Sequence, residues 1–166
     1  MKIELIQPFI NSADAVLSQS LGCPTRIGEV AMELHAYSPK GVAALVTISG
    51  DIEGRVIFDM DPATAIKIAG YLAGGQVEQS DELVRETACE LANMVVGNAV
   101  TMLNDQGIRF QIVPPQVYML HEGLSGSEDT EALVMCFKTE QGSLYMNIAM
   151  RYQRRRRADR TVAAFA

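Results

Sequence analysis

The sequence has no tryptophan, two histidines, three cysteines and only 6% aromatic residues. Cys23, Cys89 and Cys136 lie far apart, and no CxxC or Cys/His spacing occurs, which excludes a structural zinc site and leaves each cysteine as a small buried hydrophobe. No apolar stretch approaches the roughly 18 residues that span a membrane. The opening MKIELIQPFI places Glu4 and Pro8 where a signal peptide needs an unbroken apolar core, so a cytoplasmic protein is expected. No serine or cysteine stands where it could pair with His35 or His121 as nucleophile and base. The stretch Gly50 to Gly54 has neither the lysine nor the helix start of a phosphate loop.

Charge of one sign is also scarce where it would matter for nucleic acid. The net charge is −6, but Arg151, Arg154, Arg155, Arg156, Arg157 and Arg160 hold six of the fourteen basic residues beside a single acid, Asp159. The rest of the chain is therefore strongly acidic and should repel phosphate backbones, which makes nucleic acid an unlikely partner. The Arg run reads either as a tether to an anionic partner or as a solvated tail. At this length, with 48% hydrophobic residues, one domain is expected, over residues 1–151, followed by an Arg-rich tail over 152–166 expected to be disordered.

The chain reads as alternating helical and extended segments. Phe9, Ala13, Val16, Leu17 and Leu21 have helical spacing in a segment from Pro8 to Leu21, closed by Gly22 and Pro24. Thr25 to Tyr37 partly alternates (Val30, Met32, Leu34), as a strand with one solvated face does. Val42 to Ser49 and Gly54 to Met60 flank the polar turn Gly50-Asp51-Ile52-Glu53 and read as a β-hairpin. Asp61-Pro62 opens a helix ending at Gly74-Gly75. Ser80 caps the longest helix, reaching about Asp105, with Asp81 and Glu82 in its first turn. Strands follow near 110–112, 116–120, 132–138 and 143–151.

Two halves overlay. Ala44-Leu45-Val46 recurs as Ala132-Leu133-Val134 and Gly54 as Gly142, at an offset of 88, while the helix ending Leu21-Gly22 overlays the one ending Gln106-Gly107 at 85, with a longer loop at His121 to Thr130 absorbing the difference. Each half then reads helix, strand, hairpin. This predicts an α+β domain with an internal pseudo-twofold repeat, its antiparallel sheet carrying the helices on one face.

The candidate site lies in ELANMVVGNA, Glu90 to Ala99. At about 100° per residue, Val84, Ala88, Leu91, Val95, Ala99 and Met102 form the packing face. Glu86, Glu90, Asn93 and Gly97 cluster on the opposite face, with Glu90 and Asn93 as i, i+3 neighbours. Asn93 and Gly97 are poor helix formers placed where packing cannot explain them, and Gly97 leaves the surface bare for close approach by another molecule. Asn98, at the edge of the apolar face, reads as an amide hydrogen-bonded beneath the helix. A carboxylate and a carboxamide with no nucleophile, metal cluster or cofactor loop suit a protein that completes a partner's active site. A carboxamide can orient an in-line water towards a phosphoryl group while the carboxylate anchors a lysine.

At these residues the chain resembles the CheX branch of the CheC/CheX/FliY chemotaxis phosphatases, through Glu90-x-x-Asn93 with its trailing Gly97-Asn98-Ala99, the SGDIEG hairpin, the DPATAIKIAGYL helix and the early Gln7-Pro8-Phe9. The resemblance spans about residues 3 to 151. It implies a phosphatase acting on the phosphorylated aspartate of a CheY-like response regulator, with the long helix over the phosphorylation site, Glu90 pairing with the regulator's lysine and Asn93 positioning the attacking water. Glu86 and Gly97 would then contact the partner. The chain would need no cofactor of its own, the Mg²⁺ being the regulator's, and would form a homodimer through its sheet. The alternative is a non-catalytic module of the same fold, docking to a response regulator or a flagellar switch component. At offset 85, Glu90 and Asn93 match Leu5 and Pro8, which predicts one site, as in CheX-type members, rather than two as in CheC-type members.

Overall fold

The structure is a computed structural model that describes residues 2–35, 37–75, 80–119 and 130–153. Three helices, α1 (Ile3–Leu21), α2 (Pro62–Leu72) and α3 (Asp81–Asp105), pack on one face of a seven-stranded antiparallel sheet made of β1 (Arg26–His35), β2 (Val42–Gly50), β3 (Ile52–Met60), β4 (Phe110–Ile112), β5 (Gln116–Met119), β6 (Thr130–Thr139) and β7 (Gly142–Tyr152). The fold is the expected α+β arrangement. His121, most of the loop after it, and the tail from Arg154 onward lie outside the described residues.

Local chemistry sets most boundaries. Asp61 caps α2 by accepting the Thr64 N–H at 2.8 Å, with Pro62 at the first helical position. The helix α1 starts earlier than its sequence suggested, at Ile3, so Pro8 lies inside it. A proline there deprives only the Glu4 carbonyl of its partner, and the extra turn buries Leu5 and Ile6. Each large apolar side chain buried in this way is worth about 1.5–3 kcal/mol. At the β2–β3 turn, Gly50 has φ 134°, and a Cβ there would lie 2.8 Å from the Phe110 Cα, so only glycine lets the chain after α3 pass this close.

The strand order β1-β6-β7-β3-β2, with β5 beyond β2, reads the same in reverse once β1, β2 and β3 are exchanged for β5, β6 and β7. The register obeys the same symmetry. Offsets of 87 for β1 onto β5, 91 for β2 onto β6 and 88 for β3 onto β7 carry Val30↔Met135 onto Ala44↔Val117 and Leu45↔Ile57 onto Cys136↔Tyr145. They carry Phe58↔Met146 onto itself. The pseudo-twofold axis therefore passes between Phe58 and Met146, at the centre of the core.

This symmetry confirms the repeat but corrects two of its overlays. Gly54 and Gly142 do correspond. Ala44-Leu45-Val46 and Ala132-Leu133-Val134 do not: Ala44 faces the helices, whereas Ala132 is on the other side of the sheet, and an odd offset is needed to keep faces matched. For the helices, 85 lays buried residues of α1 on exposed residues of α3. An offset of 86 aligns Leu5 with Leu91, Ile6 with Ala92, Phe9 with Val95, Ile10 with Val96, Ala13 with Ala99 and Leu17 with Leu103, all buried. It also differs by a single residue from the offset of the strand that follows.

Candidate functional site

The helix α3 carries the candidate residues. The Ser80 hydroxyl accepts the Leu83 N–H at 3.2 Å, and Asp81 and Glu82 sit at the positive end of the helix dipole. Val84, Ala88, Leu91, Val95 and Ala99 are buried, as their spacing predicts. Met102 is not: it is 38% exposed, and Asn98 is exposed rather than held beneath the helix. The cause is a buried stripe that winds round α3. It runs through Val84, Ala88 and Leu91 near the start and through Val96, Ala99 and Leu103 near the end, a drift of roughly 100° that leaves Asn98 and Met102 outside.

On the outer side Glu86, Glu90 and Asn93 are exposed and Gly97 is half-buried. These are the residues placed together by helical spacing, and a Cβ added at Gly97 would meet nothing within 4 Å. The surface beside Asn93 is thus open to another molecule. The height of this face is set from below, where the buried Ser12 hydroxyl of α1 donates to the Val95 carbonyl at 2.6 Å.

One feature of the site escapes a helix-by-helix reading. Glu90 stands on the wall of a cleft of about 350 Å³ where the ends of α1 and α2 meet α3, lined by Ser20, Ala69, Leu72, Leu83, Leu91 and Met94 among others. Leu72 and Met94 are each 42% exposed there. Met94 lies one turn after Glu90, so a carboxylate and a flexible apolar side chain share one rim. The only signal in the sequence is that Met94 interrupts the polar face of α3.

A second polar group lies on the sheet face away from the helices. The Asp59 side chain is fully buried and accepts the Lys40 N–H at 2.6 Å and the Tyr37 hydroxyl. Burial raises its carboxyl above the usual range, and those hydrogen bonds oppose the shift. Tyr37 is raised, first by burial and then by the Asp59 charge. Asn147, also buried, accepts from Arg55 Nη1 at 2.9 Å, and burial lowers the Arg55 guanidinium. Asp59 thus ties the segment after β1 to the sheet, Arg55 and Asn147 link β3 to β7, and all lie on the face away from the helices.

Cys23 and Cys89 are half-buried and Cys136 is buried, all as free thiols. His35 ends β1, which stands at the end of the strand order next to β6. Among the described residues no cluster of His, Cys, Asp and Glu could hold a metal ion, and no helix is long and apolar enough to cross a membrane.

The family described as "Chemotaxis phosphatase CheX" matches residues 42–138 of the chain. The CheY-P phosphatase CheX of Thermotoga maritima is 29% identical over 118 residues, which is 70% of this chain and 76% of the relative. The solved CheX–CheY–BeF3–Mg²⁺ complex from Borrelia burgdorferi contains a chain 30% identical, with a TM-score of 0.72, covering 90% of this chain and 99% of that one. The chemotaxis protein CheX from Desulfovibrio desulfuricans superposes with a TM-score of 0.77 at 23% identity, covering 89% of this chain and 99% of that one.

Proposed function

The chain belongs to the CheX family of chemotaxis phosphatases, and from that premise we propose that it hydrolyses the phosphoaspartate of a CheY-like response regulator by setting the outer face of α3 over the phosphorylation site. The observation that carries this reading is the exposed Glu90/Asn93 pair, with bare backbone at Gly97 one turn further on. Glu90 binds the ammonium of a lysine on the regulator, which fixes the helix in place. The Asn93 amide accepts from and donates to its neighbours at once, so it holds a water in line with the aspartyl-phosphate bond. The water oxygen bonds to phosphorus, the bond to the aspartate oxygen breaks, and the carboxylate leaves as inorganic phosphate takes up the water's remaining atoms and releases a proton. The Mg²⁺ of the regulator offsets the charge that develops on the phosphoryl oxygens. The presence of Mg²⁺ in the Borrelia complex of CheX with CheY and BeF3 supports assigning the metal to the partner.

Glu86 and Gly97 extend the contact along α3, and the apolar cleft beside Glu90 gives the regulator further surface to bury. We place the phosphatase domain at residues 1–151, with the Arg-rich segment as an appendage. The homodimer expected from the resemblance has a surface to form on. β1 pairs with β6 on one side only among the described residues, and Val30, Met32 and Leu34 along it are more than half exposed. An exposed apolar edge strand of this length calls for a cover.

Release of phosphate from a phosphorylated CheY-like regulator of the same organism tests the proposal. Wild type should accelerate it, and Asn93→Ala should lose roughly a hundredfold in turnover while still binding, because the substitution removes only water positioning. Tight, phosphorylation-dependent binding without any acceleration would instead establish the non-catalytic module.

A further inference from the structure

Glu90 belongs to two surfaces at once, the outer face of α3 and the wall of the cleft where α1 and α2 meet that helix. The cleft is largely apolar, with Leu72 and Met94 each left 42% exposed in it. Apolar side chains left open in a concave site mark a place where something docks. From Glu90 back towards the start of α3, Glu86 and Glu82 follow at intervals of four, so three carboxylates stand in line beside the cleft. All three are exposed, and none makes an ion pair or a side-chain hydrogen bond among the described residues. The complementary occupant is a bulky apolar group carried next to several positive charges.

One segment of this chain combines the two. Arg154, Arg155, Arg156, Arg157 and Arg160 are followed by an apolar end, Val162-Ala163-Ala164-Phe165. Its point of attachment puts the cleft within reach. The strand β7 ends at Tyr152, whose hydroxyl donates to Glu4 at 2.8 Å near the start of α1, and Ser20 at the far end of α1 lines the cleft. Those two points on α1 are about 24 Å apart at the rise of an α-helix. The stretch from Gln153 to Phe165 spans about 43 Å when extended.

We propose that the Arg-rich C-terminal segment competes with the regulator for α3, with Phe165 in the cleft and the arginines along Glu82, Glu86 and Glu90. The inference rests on the reading of α3 given above, because the regulator's lysine needs the same Glu90 carboxylate. Exposed ion pairs are individually weak, so the detached segment should bind with a Kd of about 0.1 mM. Tethering supplies it at an effective concentration on the order of 1 mM, which occupies the site about nine-tenths of the time. The regulator must displace it, which raises KM about tenfold. The segment is gone whenever the regulator is bound, so kcat is untouched.

Two measurements on the full chain test this. In the first, phosphate release from a phosphorylated CheY-like regulator is followed at low salt, where charge pairing is least screened. Wild type is compared with Phe165→Ala and with a variant combining Arg154→Ser, Arg155→Ser, Arg156→Ser and Arg157→Ser. KM should fall about tenfold in the Arg variant and severalfold in Phe165→Ala, with kcat unchanged in both. In the second, a fluorescent peptide of residues 153–166 is titrated into the Arg variant and its anisotropy is read. It should bind, lose most of its affinity when Glu82→Gln and Glu86→Gln are added, and be expelled by a regulator trapped with beryllofluoride and Mg²⁺. A KM that stays the same or rises in the Arg variant overturns the inference and leaves the α3 reading standing. So does a peptide indifferent to Glu82 and Glu86. In a chain without turnover the displacement decides: a trapped regulator that binds without expelling the peptide overturns the inference. A trapped regulator that does not bind at all overturns the α3 reading and the competition with it.

Discussion

The two long helices are related by the pseudo-twofold axis and share their buried faces, yet they have diverged in opposite directions. The first, α1, keeps large side chains towards the core, with Phe9 and Ile10 where α3 has Val95 and Val96. On its outer face Gln7 and Asn11 hold each other, and Tyr152 holds Glu4. In α3 the balance is reversed: small side chains inside, and outside an acid, an amide and a glycine with open space round it. A duplicated helix has been divided between packing and exposure, and the helix whose outer surface is left open is the one whose buried side chains are smaller.

Substitutions can break this contrast. The largest effect is expected on the packing side. Phe9→Ala should cost about 3–5 kcal/mol, because a fully buried ring leaves a cavity between α1 and the sheet. Val95→Ala, its counterpart, should cost clearly less, and chemical denaturation of the two variants measures the ratio. Equal losses would show that the core is not weighted towards α1. A smaller effect, of opposite sign, belongs to Gly97→Ala. With nothing within 4 Å of the added methyl, it should raise stability by about 0.5–1 kcal/mol while lowering phosphatase activity. A stabilised variant with full activity would show that no partner approaches this backbone.

The smallest effect is a matter of pH. The axis also relates Asp59 to Asn147, two buried polar groups that differ in charge. Since burial holds the Asp59 carboxyl above its unfolded value, its contribution to stability is full below about pH 4, the ordinary carboxylate range, and fades as pH rises through the raised folded value. Asp59→Asn keeps an acceptor for the Lys40 N–H and makes the halves alike. It should stay within about 1 kcal/mol of wild type and flatten the fall in stability between mildly acid and neutral pH. Melting curves across that range check the slope.

What the sequence revealed follows from where the information lies. Caps such as Ser80 and Asp61, and the glycine-bearing turn of the β2–β3 hairpin, act within a few residues and were legible as written. The Glu90/Asn93 face was legible because helical periodicity is local too. The register of the repeat was not: three identical residues at Ala44 and Ala132 outweighed the period-two rule that places them on opposite faces. Asn98 and Met102 lie outside the core because the buried stripe winds round α3 with its neighbours, a drift that a straight helical projection does not contain. The cleft at Glu90 is built by three helices at once, and no single segment announces it.

The palindromic strand order has a consequence for how the chain is made. Arg26 of β1 pairs with Lys138 of β6, so a ribosome must add more than a hundred residues before β1 finds its neighbour. At ordinary synthesis rates that is about 5–20 s. Through that interval Ile27, Val30, Met32 and Leu34 travel on a segment whose partner among the described strands, β6, is not yet made. Non-local pairing of this kind is slow and leaves apolar edges open to the wrong partner. The β6–β7 hairpin is therefore the one that joins β1 to the sheet, long after β1 itself has been made.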